Sequence, residues 1–247
     1  MNSSLIIFLS ALLPAVGLMA YTVWRDRKRP EPARQLVRGF GYGITSVFVS
    51  LMVSQPATAI GLVPAEIVTA WDAVWTAFGA AAIPEECAKL LMLWWLLRKN
   101  EYFDEYFDGV VYAVCVGLGF AAFENVMYLF QAAPDEWIRV AVVRGLFSVP
   151  GHYCFAVLMG YYYSLVHFGH NSMRNIILVI AAPILAHGIF DALLMVSGVE
   201  DMVGMVSLLF IIAFLGFSFQ LRKLCQRRIA ALMEHDNYVR DEGYYRA

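Results

Sequence analysis

Apolar residues fall in seven long runs, at about 4–24, 37–55, 67–97, 108–131, 140–167, 174–197 and 202–221. A helix needs roughly 20 mostly apolar residues to cross a bilayer, so the pattern predicts seven spanning helices, with six or eight as alternatives. The third run is longer than a bilayer requires, and Glu66, Trp71 and Asp72 near its start read as an interfacial lead-in. Polar or proline-bearing stretches separate the runs: RDRKRPEPAR, a Gln55-Pro56 turn, RKNEYFDEYFD and APDEW. The expectation is an all-α, polytopic transmembrane helix bundle. It forms one domain over residues 1–247, with its working core at about 67–197 and a cytoplasmic tail at 222–247.

Composition agrees with the runs. Of 247 residues, 60% are hydrophobic and 15% charged, and the mean hydropathy is +0.62, too apolar for a water-soluble domain. The formal charge of −2 gives no reason to expect nucleic acid as a partner; the lipid bilayer is the surrounding expected. Arg25, Arg27, Lys28, Arg29, Arg34 and Arg38 cluster after the first run, Arg98 and Lys99 after the third, and Arg174 after the fifth. Arg222, Lys223, Arg227 and Arg228 follow the last. Alternate connectors are therefore basic. The others carry Glu66, Asp135, Glu136, Glu200 and Asp201, with only Arg139 and Arg144 as cations, which predicts an outer N-terminus and a cytoplasmic C-terminus. The first run precedes its basic stretch, the reverse of a signal peptide, and reads as a retained span. Cys87, Cys115, Cys154 and Cys225 show no CxxC spacing, and the first three read as small buried hydrophobes. Gly39 with Gly43, and Gly117 with Ala121, place small residues at helical spacing and predict close packing.

Glu85, Glu86, Lys89, Glu124, His152, His187 and Asp191 lie within these runs, spread over four successive helices. A charge at the centre of a spanning helix costs roughly 2.5–3.5 kcal/mol, so the five acidic and basic groups would together cost on the order of 10 kcal/mol if unpaired. They are expected to face one another or a hydrated cavity, and such a cluster marks a functional site. Glu85 and Glu86 stand four and three residues before Lys89, and either can pair with its ammonium. Pro84 removes a backbone donor just before them. His187 and Asp191 are four apart, so the carboxylate can accept a ring N–H and fix the tautomer. Asn125 reads as a helix–helix hydrogen bonder.

Carboxylates and histidines without a well-placed serine or cysteine point to activation of water rather than to a covalent nucleophile. The chain has no HExxH, GxGD or GxSG, and Ser148 in GLFSVPG fits none of these protease signatures. The same acid–histidine set also suits a proton relay, so a proton-coupled membrane transporter is the alternative from another class. Against it stands the lack of a counterpart cluster in the first half of the chain.

Four segments resemble, in order, the motifs of the PrsW family of intramembrane proteases, distantly related to the type II CAAX prenyl proteases. PEECAKLL is similar to its EExxK motif, GFAAFENVMY to its second motif with Glu124 and Asn125, HYCFAVLMG to its histidine motif and HGIFD to its HxxxD. The resemblance implies hydrolysis of a peptide bond in a membrane-anchored protein substrate, such as a single-span anti-sigma factor, at a bacterial inner membrane. It implies Glu85 or Glu86 as general base with Lys89 as its partner, and His152 positioning the water. His187 with Asp191 would bind the carbonyl oxygen, and Glu124, with Asn125 as a supporting neighbour, would share water or proton handling. A metal-free mechanism is preferred. A zinc-dependent form would draw on His152, His187, Glu85 and Glu124.

Overall fold

The computed structural model describes residues 3–200 and 204–241, and among them there is helix and no strand. Asp201, the first two residues of the seventh apolar run and the chain after Asp241 lie outside the described residues.

Seven helical rods follow the seven apolar runs. They are α1 (Ser3–Arg25), α2 (Ala33–Ala59), α3 (residues 70–97), α4 (Tyr106–Gln131), α5 (Trp137–His167), α6 (Met173–Ser197) and α7 (Met205–Asp241). All but α3 are long and apolar enough to cross a membrane; α3 carries Glu85, Glu86 and Lys89 in its middle and does not qualify on composition. The expected lead-in to α3 is shorter than the sequence suggests. Thr69 and Asp72 form a reciprocal capping box, the Asp72 N–H donating to Thr69 Oγ1 (3.1 Å) and the Thr69 N–H to Asp72 Oδ2 (2.8 Å), so the helix starts at Ala70.

Helix α4 is the hub. Residues around its whole circumference, from Tyr106 to Ala122, are buried, and α1, α2, α5 and α7 pack around it. Small residues permit the approach that lipid-embedded helices need in the absence of a hydrophobic drive between them. A Cβ on Gly43 of α2 would run into the Val116 carbonyl, and one on Gly119 of α4 into that of Phe40.

The basic connectors gather at one end of the bundle. Arg29 donates to Asp104 Oδ2 (2.7 Å) and Glu105 Oε1 (3.2 Å), joining the first connector to the third. The Tyr106 hydroxyl donates to the Phe168 carbonyl (3.3 Å) in the fifth. Helix α7 does not stop at the predicted end of its span but runs on to Asp241, so the expected tail is helical up to that residue. Asp236 there accepts the first N–H groups of α4, from Tyr106 (3.0 Å) and Phe107 (2.8 Å), and Lys28 donates to Asn237 (2.8 Å). A carboxylate on exposed N–H groups at a helix start satisfies orphan donors and favours the helix dipole.

Candidate active site

Both α3 and α5 contain a wide π turn, at Ala77–Ala82 and at Arg144–Ser148. A proline follows each closely, Pro84 and Pro150, and the site residues Glu85, Glu86 and His152 come next. A proline ring clashes with the carbonyl four residues back in a regular helix, and a π bulge relieves that clash without ending the rod. The missing donor at Pro84 is therefore accommodated by a bulge within a continuous rod. On the first bulge the Phe78 ring lies against Gly188, next to His187, where a Cβ would collide with it.

Counted from the basic end at about 1.5 Å per residue, Glu85 lies about 18 Å deep, His187 about 21 Å, His152 about 22 Å and Glu124 about 27 Å. In a hydrocarbon core about 30 Å thick the first three levels lie just past the middle and Glu124 nearer the far side. The side chains do converge. The Lys89 ammonium donates to Glu86 Oε1 (2.8 Å) and Glu85 Oε2 (3.2 Å), and His152 Nδ1 accepts from it at 3.2 Å. The other nitrogen of that ring, Nε2, then carries the proton and donates to Glu124 Oε2 (3.0 Å). A carboxylate faces each nitrogen of His187: Glu86 Oε1 lies 2.8 Å from Nδ1 and Asp191 Oδ2 lies 3.2 Å from Nε2. The predicted one-turn His187–Asp191 pair is thus present, joined by a bond from α6 to α3 that the sequence does not reveal. Glu86, Lys89, His152 and His187 are buried, whereas the Glu85 side chain keeps 13% exposure. Phe120 covers the Lys89 ammonium at 3.9 Å and Phe155 stacks on His187.

Arg144 joins this network although the sequence reading places it in a connector. It lies inside α5 and donates to Glu124 Oε2 (2.7 Å) and Asn125 Oδ1 (2.6 Å), while Asn125 donates across to the Ala11 carbonyl of α1 (2.9 Å). Asn125 therefore bonds between helices as expected. A signal for Arg144 existed: a lone cation within the apolar string VAVVRGLF. Cys87 corrects another expectation. It is exposed, on the wall of an apolar groove of about 630 Å³ between α3, α5 and α6, while Cys115, Cys154 and Cys225 are buried.

By residue type and separation the cluster fits a divalent cation: Glu85, Glu86, His152 and His187 offer ligand atoms within 4.8 Å of one another, and Glu86 Oε2 is buried without a partner. Glu86 takes the place expected for Glu124, which Arg144 and His152 engage instead. The Lys89 ammonium already contacts three of these four side chains.

Fold and site together define a multi-pass membrane protein with a buried acid–histidine–lysine centre. The family model described as "PrsW family intramembrane metalloprotease" matches residues 31–217, and the chain belongs to that family. It is similar to the protein named Protease PrsW of Clostridioides difficile (strain 630), 32% identical over 77% of this chain and 80% of the relative. Its similarity to the Protease PrsW of Oceanobacillus iheyensis is 32% over 75% and 81%, and to that of Bacillus subtilis (strain 168) 29% over the same shares. No solved structure gives a significant match. The protein is an intramembrane protease, a hydrolase acting on protein substrates within a lipid bilayer.

Proposed function

We propose that Glu85 is the general base of a metal-free hydrolysis acting on a single-span, membrane-anchored protein, an anti-sigma factor being the type of substrate expected. The supporting observation is the asymmetry of the glutamate pair. Glu86 Oε1 is shared between Lys89 and His187, whereas Glu85 meets Lys89 at 3.2 Å, lies 4.0 Å from His187 Nε2 and is the partly open member. Glu85 takes a proton from water as the water oxygen attacks the scissile carbonyl carbon. His187, held at Nδ1 by Glu86, shares its Nε2 proton between Asp191 and the oxygen that gains the charge. His152, its tautomer set by Lys89 and Glu124, orients the water. As the C–N bond breaks, the proton held by Glu85 passes to the leaving amine, giving a carboxylate and a new N-terminus. In this reading α3 is the third of seven spans and the basic end is cytoplasmic, in a bacterial inner membrane.

A zinc-dependent reading is favoured by the four clustered donors and the unpartnered Glu86 oxygen. Glu85, Glu86, His152 and His187 would hold the ion, which supplies Lewis-acid polarisation and a water of lowered pKa when bound. Lys89 weighs against it, because its ammonium would have to leave those donors first. The test is reconstituted protein with a single-span reporter. Cleavage that Glu85→Gln abolishes, and that persists after chelation in protein without stoichiometric zinc, is the expected result. Stoichiometric zinc whose removal stops cleavage overturns the metal-free mechanism, and an uncut reporter together with transported solute overturns the protease assignment to this site.

A further inference from the structure

An arginine well inside a spanning helix is expensive, and it persists where it serves a purpose that offsets its insertion cost. Arg144 opens the π turn of α5, eight residues before His152, and its side chain is 12% exposed. Three side chains of α4 hold its guanidinium: Glu124 Oε2 accepts from Nη2, Asn125 Oδ1 accepts from Nε, and the Tyr128 ring centroid lies 4.0 Å from Cζ. The oxygen that accepts from Arg144 is the one that accepts from His152 Nε2, so the guanidinium sets where the histidine's partner stands. Asn125 extends the clamp to the α1 backbone, so the guanidinium is held at two edges and over one face.

We propose that Arg144 is a positioning residue for hydrolysis: it pins Glu124, and through that carboxylate it fixes the tautomer and placement of His152. The inference rests on the hydrolase reading of this site. A planar guanidinium can donate from two edges at once to Glu124 and Asn125, which a lysine ammonium cannot reproduce. Loss of the clamp frees Glu124 Oε2 to turn, and His152 loses the acceptor that orients it toward Lys89.

The test compares the full-length parent, Arg144→Lys and Arg144→Gln in detergent, measuring kcat, KM and thermal midpoint with a single-span reporter. Arg144→Gln is expected to lower kcat on the order of 100-fold, the scale of a misplaced catalytic group, with KM and the fraction of folded protein little changed. Arg144→Lys, which keeps the charge but not the fork, is expected to recover part of that loss. If the glutamine variant does not fold, a fall in kcat for the lysine variant at an unchanged thermal midpoint supports the role. Unchanged kcat in both variants, a rise in KM alone, or activity lost only in step with folded protein overturns it. A parent that leaves the reporter uncut overturns the hydrolase reading and this inference with it. An active parent matched by both variants overturns only the role of Arg144.

Discussion

Replacing Lys89 by methionine keeps the aliphatic stem and removes the charge that three helices share. At an effective dielectric of about 20, unit charges separated by the observed 2.8 and 3.2 Å attract by about 6 and 5 kcal/mol. Most of that attraction offsets the several kcal/mol of desolvation that each buried ion carries, so the intact cluster gains little net stability from it. Removing one partner is different, because Glu85 and Glu86 then keep their desolvation cost without the cation, a loss of about 3–5 kcal/mol. For a chain of this size that corresponds to a fall in thermal midpoint of roughly 6–20 °C. Adding Glu86→Gln to Lys89→Met removes both charges of the shorter pair, and about 1–3 kcal/mol is expected back as coupling between the two sites. Cleavage stays lost in both variants. Thermal denaturation in micelles, run beside reporter cleavage, measures each arm. A Lys89→Met protein that melts within about 2 °C of the parent and still cleaves would show that the ammonium neither holds the two glutamates nor serves the reaction.

The basic end makes a pH prediction. Asp26 and Glu31 lie buried in the first connector, and burial pushes each carboxyl up to about 7 from ordinary values of 3.8 and 4.5. The folded state therefore holds protons that the unfolded chain has released between those limits, and their contribution to stability is present at acid pH and lost as pH rises through about 7. The thermal midpoint is expected to fall between pH 5 and 8, and an Asp26→Asn/Glu31→Gln variant to flatten that slope; an equal slope in the variant counts against the assignment. Gly119→Ala is expected to cost about 1–3 kcal/mol by forcing α2 and α4 apart at Phe40, read from the thermal midpoint. An unchanged midpoint would show that the helix approach yields freely.

The rods were legible because spans must be long and apolar, and each of the seven runs overlaps one rod. Their ends were less so: α2 begins at Ala33 and α5 at Trp137, both before their apolar runs, since polar residues extend a helix past the hydrocarbon. The acids, lysine and histidines of the site stood out for the reason that makes them costly, being ionisable groups among Leu, Val and Phe. Arg144 did not, because it follows the polar APDEW connector and an arginine near a span's end ordinarily reaches to the interface. The link between His187 and Glu86 was also hidden, since residues 101 apart meet only through helix packing. Asp236 on the start of α4 is a third such case, a charge that looked like part of a solvated tail.

The wide turns in α3 and α5 set the rotational phase of everything after them. One residue more or less in a helix turns the following segment by about 100°. Inserting a single alanine between Ala77 and Ala82, where the turn already holds one residue more than an α turn, would swing Glu85, Glu86 and Lys89 together off the histidines toward a neighbouring helix or the acyl chains, with all three residues still in place. The same insertion among residues 61–68, ahead of the capping box, would be absorbed by the loop. Insertions and deletions in this chain are thus judged by angle: the stretch least tolerant of a length change contains none of the groups that perform the chemistry.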